Sequence, residues 1–343
     1  MPIHNFDPPR GRLVPLTVES RALEGNLLGD PTTRTVWIYL PRGYDETDAD
    51  YPLFVGLAGF TGSGAKLLAW QCFGENLPQR LDRLVAAGAM GPVVTAFPDC
   101  FTSLGGNQYV NSAALGRWED FLLDEMIPAI EASFRVRRVP RQRAVFGKSS
   151  GGYGALVQGL LHGERWGGVA CHSGDMFFEL CYLREIPAAL DVLAGHGHDG
   201  PRFLEHLRSA RKIRGDEMNA LMLLAMSATY DPDPQSPLGI RLPADPHTCE
   251  LIDARWQRWL ALDPLRLLER KECRDGLRSL AALFIDCGSR DQYGLHYGAR
   301  CFDNRLRSLE IDHRYEEFDD DHSGVDYRLD VSLPFLFGKI SAF

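Results

Sequence analysis

Short apolar runs recur along the chain with helical patterns between them: TVWIYL (35–40), PLFVGLAG (52–59), PVVTAF (92–97), RAVFG (143–147), GGVACHSG (167–174) and AALFIDCG (281–288). They are nearly continuous, with little polar alternation, as expected of strands buried on both faces, and strands alternating with helices predict a largely parallel sheet covered by helices on both sides. HRYEEF (313–318) alternates in part and reads as a last strand. One covering helix is LGRWEDFLLDEMIPAIEASF, where Leu115, Trp118, Leu122, Met126 and Ile130 fall at helical spacing and Pro128 should kink it or open its final section.

The alternation breaks between about 176 and 268. That interval holds the helical patterns DEMNALMLLAM and CELIDARWQRWLALDPLRLL and the loop YDPDPQSPLG. It reads as a helical cap or lid inserted between two strands. Residues 1–175 then form the first part of an α/β core, 176–268 the insertion, and 269–343 the second part. Sites in such sheets lie at the carboxyl ends of strands, where the connecting loops gather.

With 343 residues and 45% apolar composition the chain can bury a sizeable core. Its 34 glycines and 21 prolines are spread along it and form no low-complexity linker. A net charge of -9 argues against a nucleic-acid binder, and the basic run Arg135 to Arg143 reads as a solvated connection between a helix and a strand. The start, MPIHNFDPPRGR, lacks a secretory signal pattern, and no segment approaches the roughly 18 apolar residues of a membrane span, so a soluble, cytoplasmic protein is expected. Self-association is compatible with the sequence. Eight cysteines (Cys72, Cys100, Cys171, Cys181, Cys249, Cys273, Cys287, Cys301) include no C-x-x-C pair and read as reduced thiols. His196 and His198 have no second ligand cluster and read as a loop, so neither a metal nor a cofactor is expected.

The stretch AVFGKSSGGYGAL (144–156) overlays two motifs. Gly147-Lys148-Ser149 resembles the end of a phosphate loop, but the position that loop reserves for its first glycine is Gln142, and residues 143–146 supply none. The alternative is G-x-S-x-G, with Gly147, Ser149 and Gly151, between a strand (RAVF) and a helix (GYGALVQGLL). A nucleophile on so sharp a turn crowds the residues two positions either side, which glycine relieves.

A serine hydroxyl needs an imidazole to take its proton and a carboxylate to hold that imidazole. Asp291 follows the strand AALFIDCG, and His322 follows HRYEEF in the loop DDDHSG. The order Ser, Asp, His, each after a strand, is that of an α/β-hydrolase. Asp286 is the weaker acid, being inside its strand. His172 precedes the acid, and His296 is too near Asp291 to come from a separate strand. The acidic run Asp319 to Asp321 reads as a solvated loop. The oxyanion donors are assigned to the backbone N–H groups of Ser150 and of Phe60, in the loop GLAGFTGSG.

With these residues placed, the chain resembles the putative esterase family of the α/β-hydrolase superfamily, which includes esterase D (S-formylglutathione hydrolase), feruloyl and acetylxylan esterases, enterochelin-type esterases and mycolyltransferases. The matching pieces are TVWIYLPRGYD, YPLFVGLAG, RWEDFLLDEMIPAIEASFRV, VFGKSSGGYGAL, DCGSRDQYG and FDDDHSG. The resemblance implies metal-independent hydrolysis of a small-molecule carboxylic ester or thioester through a serine acyl-enzyme. Two departures bear on substrate: Ala58 stands where many relatives have His or Asp, and Gly324 where many have Trp. Lys148 also stands where relatives vary, and reads as an exposed structural residue or an attractor for an anionic substrate group. Acyl transfer to an alcohol would use the same triad, and a binding protein retaining the fold is the non-catalytic alternative. Phe177, Phe178, Tyr182, Trp256, Trp259 and Tyr293 are candidates to line a cleft, with a core or lid-interface role as the other reading.

Overall fold

The computed structural model describes residues 4–341. Eight strands form one sheet: β1 (Arg12–Glu19), β2 (Thr33–Leu40), β3 (Leu53–Leu57), β4 (Val94–Pro98), β5 (Arg143–Lys148), β6 (Gly168–His172), β7 (Ala282–Gly288) and β8 (Arg314–Phe318). Their spatial order is β1-β2-β4-β3-β5-β6-β7-β8. β1 and β2 run antiparallel to their neighbours; every pairing from β4 through β3 to β8 is parallel. Burial follows position. All residues of β3, β4, β6 and β7 are buried, whereas β1 and β8 at the two edges are partly exposed.

The period of two along each strand divides the core. On β5, Ala144 and Phe146 face one side with Phe54, Phe97, Ala170 and Phe284, under the helices Leu77–Ala86 and Leu329–Ile340. Val145 faces the other side with Val55, Val169 and Ile285, under the helices Ile127–Ser133 and Ser150–His162. The segment between β6 and β7 adds the helices Ile186–Ala194, Gly200–Ser209, Gly215–Tyr230 and Asp253–Leu260. Their Leu190, Phe203, Leu224 and Trp259 join this second cluster, so the inserted helices share the core of that face.

Two sequence expectations change in detail, and one strand lies outside them. RLVPLTVE, for which no element was expected, pairs along its whole length with β2, its mixed exposure reflecting an edge position. The helix expected from Leu115 begins at Trp118 and passes through a π-wound turn, Phe121–Met126, just before Pro128, which lacks the N–H of a regular turn. The run 249–268 is broken: Asp263 accepts the Leu265 N–H (2.8 Å) and Pro264 opens a new helix. Among the described residues no helix is long and apolar enough to cross a membrane.

Candidate active site

β5 ends at Lys148, and the chain turns through Ser149 into the helix Ser150–His162. Ser149 has φ 59° and ψ −128°, a conformation that ordinary side chains avoid and that surrounding contacts must hold. Its N–H donates to the His172 carbonyl at the end of β6 (2.9 Å), and its carbonyl accepts the Tyr153 N–H (2.8 Å). The flanking glycines are sterically required. A Cβ on Gly147 would lie 2.4 Å from the Gly151 oxygen, and one on Gly151 would lie 2.2 Å from the Leu57 oxygen.

The loops after β7 and β8 bring Asp291 and His322 together. His322 Nδ1 lies 2.7 Å from Asp291 Oδ2, with the carboxyl side chain buried. Asp291 Oδ1 accepts the Tyr293 N–H (2.9 Å), so the carboxyl is oriented by its own loop. A carboxylate accepting at Nδ1 places the imidazole proton there and leaves Nε2 without one. The His322 N–H donates to Gln292 Oε1 (3.0 Å), and the ring meets Tyr293 edge-on with centroids 4.9 Å apart. Lys148 Nζ donates to the His322 carbonyl (3.1 Å), so the lysine of the GKS tripeptide ties the histidine loop to the serine turn.

Ser149 and His322 line one cavity of about 510 Å³, together with Phe60 and Ser150. No hydrogen bond joins Ser149 Oγ to His322 among the described residues; such bonds commonly tighten only when substrate is engaged. Neither the Phe60 nor the Ser150 amide donates to a backbone acceptor among the described residues. The Phe60 carbonyl accepts the Gly106 N–H (2.6 Å), which fixes the loop after β3 against the loop after β4.

The family profile described as "Putative esterase" matches residues 30–330, spanning β2 to the start of the closing helix. The chain belongs to the putative esterase family. This esterase is a carboxylic ester hydrolase of the α/β-hydrolase superfamily. No curated protein matches it. Solved structures that share its fold include a ferulic acid esterase (20% identity, TM-score 0.62, covering 96% of this chain and 98% of that one). An S-formylglutathione hydrolase from Agrobacterium tumefaciens is similar at 17% identity and TM-score 0.58, over 99% and 100% of the two chains. The fluorophosphonate-binding serine hydrolase F of Staphylococcus aureus is similar at 13% identity and TM-score 0.56, over 96% and 98%.

The other acid and histidines of the esterase have separate partners. Asp286 binds His172: Nδ1 lies 2.7 Å from Asp286 Oδ1, and Nε2 lies 2.9 Å from Ser332 Oγ on the closing helix. Arg328 Nε donates to the second Asp286 oxygen (2.8 Å). This Ser332–His172–Asp286 constellation repeats the residue types of a triad, but Ser332 is wholly buried in a helix. His296 lies in the helix Leu295–Ser308 against Tyr297, outside the residues that line the cavity. The acidic run binds its own loop and a neighbouring arginine: Asp319 pairs with Arg290, Asp320 accepts from Tyr327, and Asp321 accepts the Ser323 N–H. His196 packs against Phe203 and His206, and His198 against His247. Of the six aromatics considered for a cleft, Tyr182 and Tyr293 line the cavity, whereas Phe178, Trp256 and Trp259 fill the core and Phe177 packs against it.

Two cavity-region residues were absent from the sequence reading. Asp175, in the loop after β6, lines the cavity, and Gln108, in the loop after β4, donates from Nε2 to Ser150 Oγ (2.9 Å) and to Asp175 Oδ2 (3.3 Å). No local pattern marks a contact between residues so far apart in sequence. Burial pushes the Asp175 carboxyl above the usual range, and Asp291 adds to this; Tyr182, His322 and Gln108 oppose it. The folded chain therefore holds this proton to higher pH than the unfolded chain. The contribution favours folding below the unfolded carboxyl value and is lost as pH rises through the folded one. Asp175→Asn, which cannot ionise, is expected to raise the melting temperature near neutral pH by more than it does at about pH 4. Equal shifts at both pH values would show that ionisation at this position carries no cost.

Proposed function

We propose that the esterase cleaves its substrate through a Ser149–His322–Asp291 triad and an acyl-enzyme. Ser149 Oγ attacks the carbonyl carbon while His322 Nε2 takes the hydroxyl proton. The negative oxygen of the tetrahedral intermediate is met by the amides of Phe60 and Ser150. Collapse breaks the bond to the leaving alcohol or thiol, which takes the proton from His322, and leaves the acyl group on Ser149. A water, deprotonated by His322, then attacks the acyl carbon, and the acid departs as Ser149 regains its proton. Asp291 keeps Nδ1 protonated and the ring in place throughout. Each unmatched oxyanion donor would cost about 3 kcal/mol of barrier.

The observation that carries this reading is the meeting, at one cavity, of a serine on a glycine-flanked strained turn and an imidazole held by a buried carboxylate. Membership of an esterase family supports it, as does the shared fold of a ferulic acid esterase and an S-formylglutathione hydrolase. The substrate class is a small carboxylic ester or thioester. Labelling with a fluorophosphonate, followed by peptide mapping, tests the assignment; covalent modification at a serine other than Ser149 would overturn it.

A further inference from the structure

The wall of the cavity carries an unmatched acceptor. Asp175 is 9% exposed, yet only one of its two oxygens is occupied. Oδ2 takes hydrogen bonds from the Tyr182 hydroxyl (2.8 Å) and from Gln108 Nε2 (3.3 Å); Oδ1 receives none among the described residues. Gln108 Oε1 is buried and without a partner. Asp175 lines the cavity and its Oδ1, unlike Gln108 Oε1, is not sealed from it, so Oδ1 is the acceptor that a ligand in the cavity can reach.

We propose that Asp175 selects ester substrates carrying a hydroxyl close to the scissile carbonyl, which it holds through Oδ1. The inference rests on the esterase reading above and adds a determinant of specificity to it. Proximity follows from Gln108: one amide nitrogen touches both Asp175 Oδ2 and the side chain of Ser150, the residue after the nucleophile. The bound hydroxyl is thereby placed in the same cavity as Ser149 and His322, on the side of the reacting carbon where Gln108 and Ser150 meet.

A hydroxyl suits this position better than an ammonium. It donates to the ionised carboxyl and accepts from the protonated one, so either state of Asp175 can hold it. An ammonium needs the ionised state and further acceptors, and the groups that meet the Asp175 carboxyl, the Tyr182 hydroxyl and Gln108 Nε2, are donors to it. Stripping water from a cation there would be far costlier than stripping it from a hydroxyl.

The test compares kcat/KM within ester pairs that differ by one hydroxyl. Methyl 3-hydroxybutyrate against methyl butyrate reads the acyl side; ethylene glycol monobutyrate against propyl butyrate reads the alcohol side. The wild type is expected to favour the hydroxylated member of one pair by at least about tenfold, and Asp175→Leu to bring that ratio to within about twofold of unity. Asp175→Asn keeps the shape and is expected to fall between, which preserves the test if the leucine variant does not fold. A purely structural Asp175 would slow both members alike and leave the ratio unmoved. Ratios near unity for both pairs in the wild type, or a wild-type ratio retained in the variants, would overturn the proposal, as would a stronger preference for methyl 3-aminobutyrate. Failure of the esterase reading shows differently: no turnover of any of these esters and no fluorophosphonate adduct on Ser149.

Discussion

Ser149→Ala is expected to lower ester turnover by at least about 10⁴-fold in kcat and to remove the fluorophosphonate adduct, because the covalent route has no other nucleophile. The variant should remain folded. Ser149 Oγ has no hydrogen-bond partner among the described residues to lose, and an alanine Cβ occupies the place of the serine Cβ in the same strained turn. Activity and stability are thus expected to separate. Denaturant unfolding of the alanine variant should match that of the wild type within about 1 kcal/mol, the usual range for a change that breaks no packing. Turnover near the wild-type level would exclude Ser149 as the nucleophile.

The second large effect distinguishes two buried carboxylates that lie five residues apart. Asp291→Asn is expected to cost about 10⁴-fold in kcat, since an amide at Oδ2 can donate to Nδ1 and drive the imidazole into the tautomer that cannot accept the serine proton. Asp286→Asn is expected to act on the fold. It leaves His172 without its anion and Arg328 with Glu316 alone, and breaking a buried pair of this kind costs about 3–5 kcal/mol. Measuring kcat and the unfolding midpoint for both variants decides the matter. If Asp286→Asn abolished turnover at unchanged stability while Asp291→Asn unfolded the chain, the two roles would be exchanged.

The parts of this molecule that could be read from its residues are those set by local rules. Nearly continuous apolar runs mark β3 to β7 because the strands are covered on both faces. Gly147 and Gly151 mark the turn because no Cβ fits at either place. The contact between Asp291 and His322 could be anticipated because loops after parallel strands gather at one rim, so that chain order restricts which acid meets which imidazole. What escaped the reading depends on contacts across the fold. β1 has an edge strand's mixed pattern. Trp256 and Trp259, for which a core role stood beside a cleft role, take the core role, and nothing in their own segment says which surface receives them. Asp175 and Gln108 meet through loops from different strands, and a lone acid in a loop is indistinguishable from a solvated one until its neighbours are known.

The Ser332–His172–Asp286 constellation couples the helix Leu329–Ile340 to the serine turn. The carbonyl of His172 anchors the amide of Ser149, and the ring of the same histidine is braced from behind by the closing helix. Ser332→Ala removes that brace while leaving Leu333, Leu336 and Ile340 in the core, and is expected to let the strained turn relax. It would then turn esters over more slowly while its cavity walls stay in place, a defect owed to a residue the substrate never meets. Full turnover by the folded Ser332→Ala protein would show that the helix exerts no such grip.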